Sequence, residues 1–136
     1  PVLLGAGERE HGVRRLLKAL RHDTPFASTT AKRRGLELNG GMVAECFKAL
    51  HHGHAGKLSL CRVWAGTLSD GQTIGGHRVG GLFKPAGQKF EKIAQAQTGD
   101  VVAIAKIDAL SAGQMLSNGG ITEAADRPVP EPAVYA

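Results

Sequence analysis

The chain has 136 residues, a formal net charge of +5 and two cysteines. This length suits one domain with a single hydrophobic core, and no apolar run reaches the roughly 18 residues that a membrane-spanning helix needs. The first residue is proline rather than methionine, and no basic segment precedes an apolar one as in a signal peptide. We therefore expect a cytoplasmic segment of a longer protein, and the positive charge favours an anionic partner.

The first 26 residues predict a strand, a loop and a helix. Val2-Leu3-Leu4 is a short apolar run before Gly5-Ala6-Gly7, a pattern typical of a buried parallel strand and its loop. Apolar residues then recur at helical spacing, with basic residues on the opposite face, until Pro25 ends the pattern. The apolar positions are Val13, Leu16, Leu17 and Leu20. This is the tail of an α/β unit whose other strands are missing from the sequence.

The N-terminal third of the chain is strongly basic. Eight lysines and arginines lie between Arg9 and Arg34, against two acidic residues. Two interpretations stay open, a solvated helix face followed by a polar linker or a surface that faces nucleic acid. Residues 27–41 show little periodicity and predict the linker.

From residue 42 onward, short segments with glycine-containing turns predict an antiparallel β-barrel or sandwich. The clearest strand runs over residues 58–66, where Leu58, Leu60 and Trp64 alternate with smaller residues. The other predicted strands cover residues 42–50, 72–78, 81–84, 89–95, 101–107 and 115–116. We expect Trp64 to anchor the barrel, and residues from 121 onward to form an extended exit.

Arg62 is the one charged residue inside that clearest strand, so it needs a partner. We expect the partner to be Asp100 or a backbone carbonyl. Cys46 and Cys61 both lie in predicted strands, where we expect them to be buried as small apolar residues and not to form a disulfide or a reactive thiol.

The motifs do not indicate a catalytic site or a resident cofactor. His51, His52 and His54 could at most capture an adventitious zinc or nickel ion, because no cysteine pair nearby completes a metal site. No phosphate-binding Gly-x-x-x-x-Gly-Lys-Ser/Thr motif occurs, and no serine, histidine and aspartate set or carboxylate pair suggests a pocket. We therefore predict no catalytic residue.

Several segments resemble elongation factor G and elongation-factor-G-like translational GTPases. Phe47-Lys48-Ala49-Leu50, Gly56-Lys57-Leu58-Ser59 and the run from Arg62 to Gly71 resemble the first two barrel strands of the second domain of that family. Gly99 to Ala103 and Ala112 to Leu116 resemble its later strands. The N-terminal residues resemble the last strand, guanine-facing loop and final helix of the family's GTPase domain, with Gly5-Ala6-Gly7 in place of the usual Gly-Ser-Ala. This departure suggests a divergent paralogue.

The resemblance implies a mainly β chain with a six-stranded antiparallel translation-factor β-barrel at residues 42–121. Residues 1–26 would be a strand-loop-helix remnant of an α/β GTPase domain, residues 27–41 a linker, and residues 122–136 a linker and the start of the third domain. Gly5, Ala6 and Gly7 would be the remnant of the guanine loop.

The implied function is that of a non-catalytic module of a ribosome-associated elongation factor. It would couple the GTPase domain to small-subunit rRNA during translocation or ribosome recycling, with GTP and Mg²⁺ bound elsewhere in the parent protein. Its partners would be the ribosome, the parent's GTPase and third domains, no membrane, and further copies of itself through the exposed N-terminal segment. The candidate rRNA contacts are Lys57, Arg62, Arg78, Lys84 and Lys89. The alternative is a free-standing basic β-barrel that binds RNA.

Overall fold

The computed structural model describes residues 2–36, 38, 41–53, 56–87 and 89–124. Pro1 and the predicted exit beyond residue 124 lie outside the described residues. The helices are α1 (Val13–Asp23) and α2 (Ala27–Arg33), preceded by a 3₁₀ turn at Gly7–Arg9. The strands are β1 (Val43–His52), β2 (Gly56–Ala65), β3 (Thr67–Ser69), β4 (Thr73–Ile74), β5 (His77–Arg78), β6 (Leu82–Ala86), β7 (Lys89–Lys92), β8 (Gln95–Gln97), β9 (Val101–Ala105), β10 (Gln114–Ser117) and β11 (Gly120–Glu123).

Seven strands form one antiparallel sheet in the order β11-β10-β1-β2-β9-β6-β7. Two small ladders, β3 with β8 and β4 with β5, complete the β structure of the described residues. The predicted mainly β, antiparallel class is confirmed. The described part of the chain contains eleven shorter strand segments where we expected six strands. Gly75 and Gly76, both at positive φ, divide the predicted strand 72–78 into β4 and β5.

Strand β2 lies at the centre of the sheet, between β1 and β9. Successive side chains of a strand point to opposite faces, so the alternation in β2 separates two sets of residues. Cys61 and Val63 belong to the largest core cluster, together with residues from most other strands. Trp64 and Leu58 each belong to a different, smaller cluster. The apolar series that marks this strand in the sequence therefore lies outside the largest core.

The two smaller clusters cover the other face of the sheet at its two ends. At one end α2 packs through Ala31 against Val43, Trp64 and Met115. At the other end Leu58 packs with Ala103 and Ala105, and partly buried residues close around them: Leu50, Leu60, Phe83 and Phe90. Trp64 is thus an anchor for α2 on this outer face, whereas we expected a barrel anchor.

The N-terminal segment follows the prediction for its helix and departs from it for its strand. Helix α1 begins at Val13 and ends at Asp23, as the spacing indicates, yet it has no buried residue. Residues 2–5 form no strand. The prediction of a strand at Val2-Leu3-Leu4 was therefore wrong for this chain, because a strand needs a neighbour for its backbone hydrogen bonds and the described residues provide none there.

Two further segments depart from the expectations. The stretch at 27–41, predicted to be an irregular linker, contains α2, whose Ala31 is 0% exposed. Residues 121–123, where we expected the barrel to end and the exit to begin, belong to β11, which pairs with β10 across the turn at Asn118 and Gly119. In both cases packing or pairing with the rest of the domain orders residues that carry no periodic pattern of their own.

Candidate functional site

The junction between α2 and the sheet contains a buried polar network. Arg34, directly after α2, donates two hydrogen bonds to Glu45 of β1, with Nη1–Oε2 and Nη2–Oε1 distances of 2.5 and 3.0 Å. The Trp64 indole Nε1 donates to Glu45 Oε2 at 2.9 Å. Glu45 is 5% exposed, so this carboxylate holds a buried charge that both donors stabilise. We call Arg34, Glu45 and Trp64 the junction network.

Electrostatics and packing reinforce the junction network. The hydrogen bonds to Glu45 raise the pKa of the Arg34 guanidinium above its ordinary value. The Arg34 Cζ also lies 5.3 Å from the centre of the Trp64 ring, within cation–π range. Because the pair is bidentate and mostly desolvated, it fixes the orientation of the chain that leaves α2 relative to the sheet.

Arg62 lies beside this network and does not have the partner that we expected. Its Cζ is 5.8 Å from the Trp64 ring centre, and its Nε is buried without a hydrogen-bond partner in the described residues. The expected ion pair with Asp100 is absent from the described structure. Asp100 Oδ2 instead accepts a hydrogen bond from the Gln97 backbone at 2.8 Å. The strand register explains this, because Arg62 lies opposite Val101, and the neighbouring Asp100 turns back toward the β8–β9 turn.

Two of the five predicted rRNA contacts lie near the two ends of β9. Arg62 lines an open pocket of about 380 Å³ together with Phe26 and Thr98. Lys57 lies close to the other end of β9, where its Nζ donates to the Asp108 backbone carbonyl at 2.5 Å. The Lys57 ammonium group therefore already has a hydrogen-bond partner within the chain, and a phosphate contact would have to compete with this bond.

Lys84 and Lys89 lie on the β6–β7 hairpin. Lys84 is exposed, faces Glu91 across the hairpin, and lines a groove of about 420 Å³ that also contains Gln95 and Asp100. Lys89 is exposed at the start of β7. The structure therefore distributes the predicted basic residues over several surfaces and does not gather them into one patch.

Arg78, the fifth candidate, lines the cleft where the β4–β5 hairpin meets the end of β9. This cleft has a volume of about 490 Å³, and Lys106 lines it as well. Lys106 was not among the predicted contacts. Its position depends on a left-handed backbone, φ 62°, directly after β9, and no feature of the sequence indicates that conformation.

The predicted guanine loop is a compact turn in this structure. Ala6 and His11 form an isolated antiparallel bridge with reciprocal backbone hydrogen bonds of 3.0 and 3.1 Å, which encloses the 3₁₀ turn that starts at Gly7. Gly5 and Gly7 line a small pocket of about 260 Å³ with apolar residues of α1 and the preceding segment. Guanine recognition by Gly5, Ala6 and Gly7 stays a prediction.

Two of the three predicted histidines lie at the end of β1. His51 and His52 are exposed, and the His52 ring contacts Phe90 edge to face at 5.1 Å. His54 lies outside the described residues, and no group of three potential metal ligands occurs in the part that the structure describes.

Cys46 and Cys61 face each other across β1 and β2 as buried free thiols, as predicted. The neighbouring Cys46 thiol and burial raise the pKa of the Cys61 thiol above its ordinary value.

Neither described helix has the length and hydropathy that crossing a membrane would require.

Comparison with solved structures supports this architecture. A protein of Thermus thermophilus superposes with a TM-score of 0.68 and 28% sequence identity, over 96% of this chain and 20% of that one. GDP-bound aIF5B from Aeropyrum pernix superposes with a TM-score of 0.58 over 85% of this chain and 22% of that one. At 18% identity, the second match shows a shared fold alone.

Sequence relatives agree with these structures. An elongation factor G-like protein of Synechocystis sp. is 35% identical over 123 residues, which is 89% of this chain and 18% of that protein. The mitochondrial ribosome-releasing factor 2 of Drosophila persimilis is 27% identical over 124 residues, or 87% of this chain and 17% of the relative. The chain thus spans about a fifth of the length of the proteins it matches.

The β region carries the family assignment. Residues 41–119 match the family model described as elongation factor G domain 2. This range covers more than half of the chain and includes β1 to β10 in full. The chain therefore belongs to the elongation factor G domain 2 family.

Proposed function

We propose that the chain is the second-domain portion of a ribosome-associated translational GTPase. In this proposal the β region, residues 42–124, is a non-catalytic module that contacts small-subunit rRNA during translocation or ribosome recycling. Residues 1–26 complete a GTPase domain that binds GTP with Mg²⁺ in the parent protein, and the residues beyond 124 lead into a third domain. The parent works in the cytoplasm.

The match of residues 41–119 to the elongation factor G domain 2 family is the observation that carries this proposal. The names of the relatives, an elongation factor G-like protein and a ribosome-releasing factor, agree with a role on the ribosome. They also leave the step open, because one name refers to elongation and the other to ribosome release.

The junction network supports a coupling role. A segment that transmits motion between two domains must be held rigidly by at least one of them. The chain that leaves α2 is attached to the sheet by the ion pair between Arg34 and Glu45 and by the burial of Ala31 against Trp64. A displacement of the residues before α2 would therefore act on the β region through a defined contact.

Cosedimentation with purified small ribosomal subunits tests the ribosomal part of the proposal. We expect the chain to pellet with the subunits and to be released as salt rises, because phosphate contacts are screened. Calorimetry with GTP should show no binding, and a hydrolysis assay no turnover, since the nucleotide site belongs to the parent. Failure to associate with the subunits, or measurable GTP turnover, would contradict the proposal.

A steep salt dependence on free RNA, with equal affinity for unrelated RNAs and no preference for the subunit, would favour the alternative of a free-standing RNA-binding barrel.

We also propose that the apolar face of α1 covers the missing sheet of the GTPase domain in the parent protein. Leu16, Leu17 and Leu20 are all exposed, and the preceding Val2 and Leu4 are 90% exposed. Without that sheet, these side chains favour association between copies of the chain. Light scattering should then show a mass that rises with concentration, and serine in place of Leu16 and Leu20 should restore the monomer. A monomer at all concentrations would contradict self-association.

A further inference from the structure

The cleft between the β4–β5 hairpin and the end of β9 combines features that suit a phosphate group. Among the described residues, six line it: Asp70, Gly71, Arg78, Val79, Gly80 and Lys106. Its volume of about 490 Å³ lies in the range of ligand-binding clefts. Both basic residues are exposed, and neither forms an ion pair within the described residues.

The one acidic residue of the cleft is already neutralised. Asp70 Oδ2 lies 3.2 Å from Lys92 Nζ, and the Asp70 backbone N–H donates to the Ala94 carbonyl at 2.9 Å. An incoming anion would therefore meet the positive charge of Arg78 and Lys106 with little opposition from Asp70. None of the six lining residues is aromatic, so the cleft offers no surface on which a base would stack.

The stem of Lys106 packs beside Gly80 at the edge of the cleft. Lys106 is one of two residues other than glycine at positive φ in the described chain, a conformation that costs a side-chain-bearing residue free energy. Its side chain lies across Gly80: a methyl group added there would come within 2.5 Å of Lys106 Cδ and 2.7 Å of its Cβ. The absence of a side chain at residue 80 thus gives the lysine its path toward the cleft.

The two sides of the cleft are tied together by hydrogen bonds. The Gly80 N–H donates to the Ala105 carbonyl at 3.1 Å, and the Ala105 N–H donates to the Gly81 carbonyl at 2.9 Å. Arg78 and Lys106 therefore come from segments that cannot separate without breaking backbone hydrogen bonds. The backbone positions that carry the two cations are therefore fixed relative to each other, which lowers the ordering cost of binding one anion between them.

We propose that this cleft binds a backbone phosphate of RNA between Arg78 and Lys106, without reading the base sequence. The inference rests on the proposed ribosomal function and deepens it by assigning one contact surface. It adds Lys106, which was not among the contacts predicted from the sequence. It also separates Arg78 from the other four predicted contacts, which lie elsewhere on the molecule.

The test compares four cleft variants with a charge-matched control. Lys106→Gly removes the cation and accepts the positive φ, Lys106→Arg keeps the cation, and Arg78→Gln removes the second one. Gly80→Ala keeps both charges and displaces the Lys106 side chain. Lys48→Ala removes an exposed lysine of β1 that does not line the cleft and is separated from β9 by β2. Far-ultraviolet circular dichroism of each variant establishes that it is folded.

Binding is measured by fluorescence anisotropy with labelled oligouridine and labelled oligoadenine, and by cosedimentation with small ribosomal subunits. We expect Lys106→Gly and Arg78→Gln each to weaken all three interactions roughly fivefold. Each should lower the slope of log K against log salt by about 0.7 on the single strands, one phosphate contact. Lys106→Arg and Lys48→Ala should bind like the unmodified chain, and Gly80→Ala should bind more weakly with its charge intact.

The remaining outcomes separate the two proposals. Equal losses for Lys48→Ala and Lys106→Gly would overturn the cleft as a site and leave the ribosomal function standing. A double variant that carries Arg78→Gln and Lys106→Gly is tested as well. If it still binds the subunits like the unmodified chain, the cleft is overturned as a site and the ribosomal function stands. An unmodified chain that fails to bind the subunits would overturn both. Competition by inorganic phosphate or GTP at concentrations below those of the oligonucleotides would identify a free phosphate ligand and overturn the RNA assignment, as would selective competition by polyglutamate.

Discussion

The N-terminal segment, residues 2–26, and the β region, residues 42–124, use their apolar side chains in opposite ways. Helix α1 has a regular apolar stripe and no buried residue. The β region has less regular patterns, yet it buries Val63, Leu68 and Leu116 completely. A stripe of apolar residues thus specifies a helix and a face, but stabilisation comes only when another surface removes that face from water.

Helix α2 lies between these two regions and behaves like neither. It buries a single side chain, Ala31, and depends on Arg34 and Trp64 at its C-terminal side. Unfolding of the chain should therefore be governed by the β region, while the junction and α1 respond locally. Intrinsic fluorescence reports directly on the packing of α2 against the sheet, because Trp64 is the only tryptophan and lies under α2.

The largest effect is expected from truncation of the β core. Leu116→Ala removes a side chain that is 0% exposed and should lower the free energy of unfolding by about 2–5 kcal/mol. Leu17→Ala, at a position 59% exposed in α1, should change it by less than about 0.5 kcal/mol. Urea unfolding followed by Trp64 fluorescence measures both values. Equal losses would show that α1 is docked on the domain.

A glycine substitution sharpens the same contrast. Gly75 has φ 54°, and an added methyl group would lie 2.3 Å from Gly120 Cα, where two backbone turns of the β region touch. Gly75→Ala should cost about 2 kcal/mol of global stability. Gly12→Ala creates a similar steric conflict, but before α1: Gly12 has φ 77°, and an added methyl group would lie 2.6 Å from the Leu4 backbone oxygen.

For Gly12→Ala we expect lower helix content by circular dichroism and an unchanged urea midpoint. A shift of that midpoint as large as the one for Gly75→Ala would refute the separation of the two regions. Gly76→Ala, at φ 82° with open space around it, serves as the control for the cost of the backbone conformation alone.

The junction should respond with an intermediate effect. Glu45→Gln removes the charge that accepts hydrogen bonds from Arg34 and Trp64, and we expect a loss of about 1.5 kcal/mol. Trp64 emission should shift to the red and the bonds near α2 should become sensitive to protease, because α2 loses its attachment. Arg34→Lys keeps the positive charge without the bidentate geometry, so its free energy of unfolding should fall by less than that of Glu45→Gln. Unchanged emission in Glu45→Gln would argue against the junction network.

The smallest effect is expected when the N-terminal segment is removed. A chain that begins at Pro25 should unfold within about 0.5 kcal/mol of the full chain, because α1 has no buried residue. Its tendency to self-associate should disappear with the exposed leucines. A lower unfolding temperature for the shortened chain would mean that α1 stabilises the β region after all.

Local patterns predicted much of this fold. The helical spacing of Val13, Leu16, Leu17 and Leu20 placed α1 correctly, and the alternation around residues 58–66 placed β2 within two residues at each end. Patterns of this kind are set by neighbouring residues, so a sequence alone carries them. The prediction of a strand at residues 2–4 was wrong because a strand also depends on neighbouring strands for its backbone hydrogen bonds.

The candidate site was less accessible to prediction. Arg62 was singled out correctly as a charge that needs an explanation, but neither expected partner, Asp100 or a backbone carbonyl, binds it within the described residues. Register decides which side chains meet across a sheet, and it places Arg62 opposite Val101. Lys106 was missed because its exposed position follows from a backbone angle.

The sequence by itself determined the mainly antiparallel β class, the amphipathic helix α1, the buried state of Cys46 and Cys61, and the likeness to the elongation factor G family. Each follows from local periodicity or from a run of matching residues. Only the tertiary structure decided that Trp64 lies under α2 outside the largest core, that Arg34 and Trp64 share Glu45, and that Arg78 and Lys106 line one cleft. The physical reason is distance along the chain: these contacts join residues 11 to 33 positions apart, and such pairings depend on strand register and packing that no local pattern specifies.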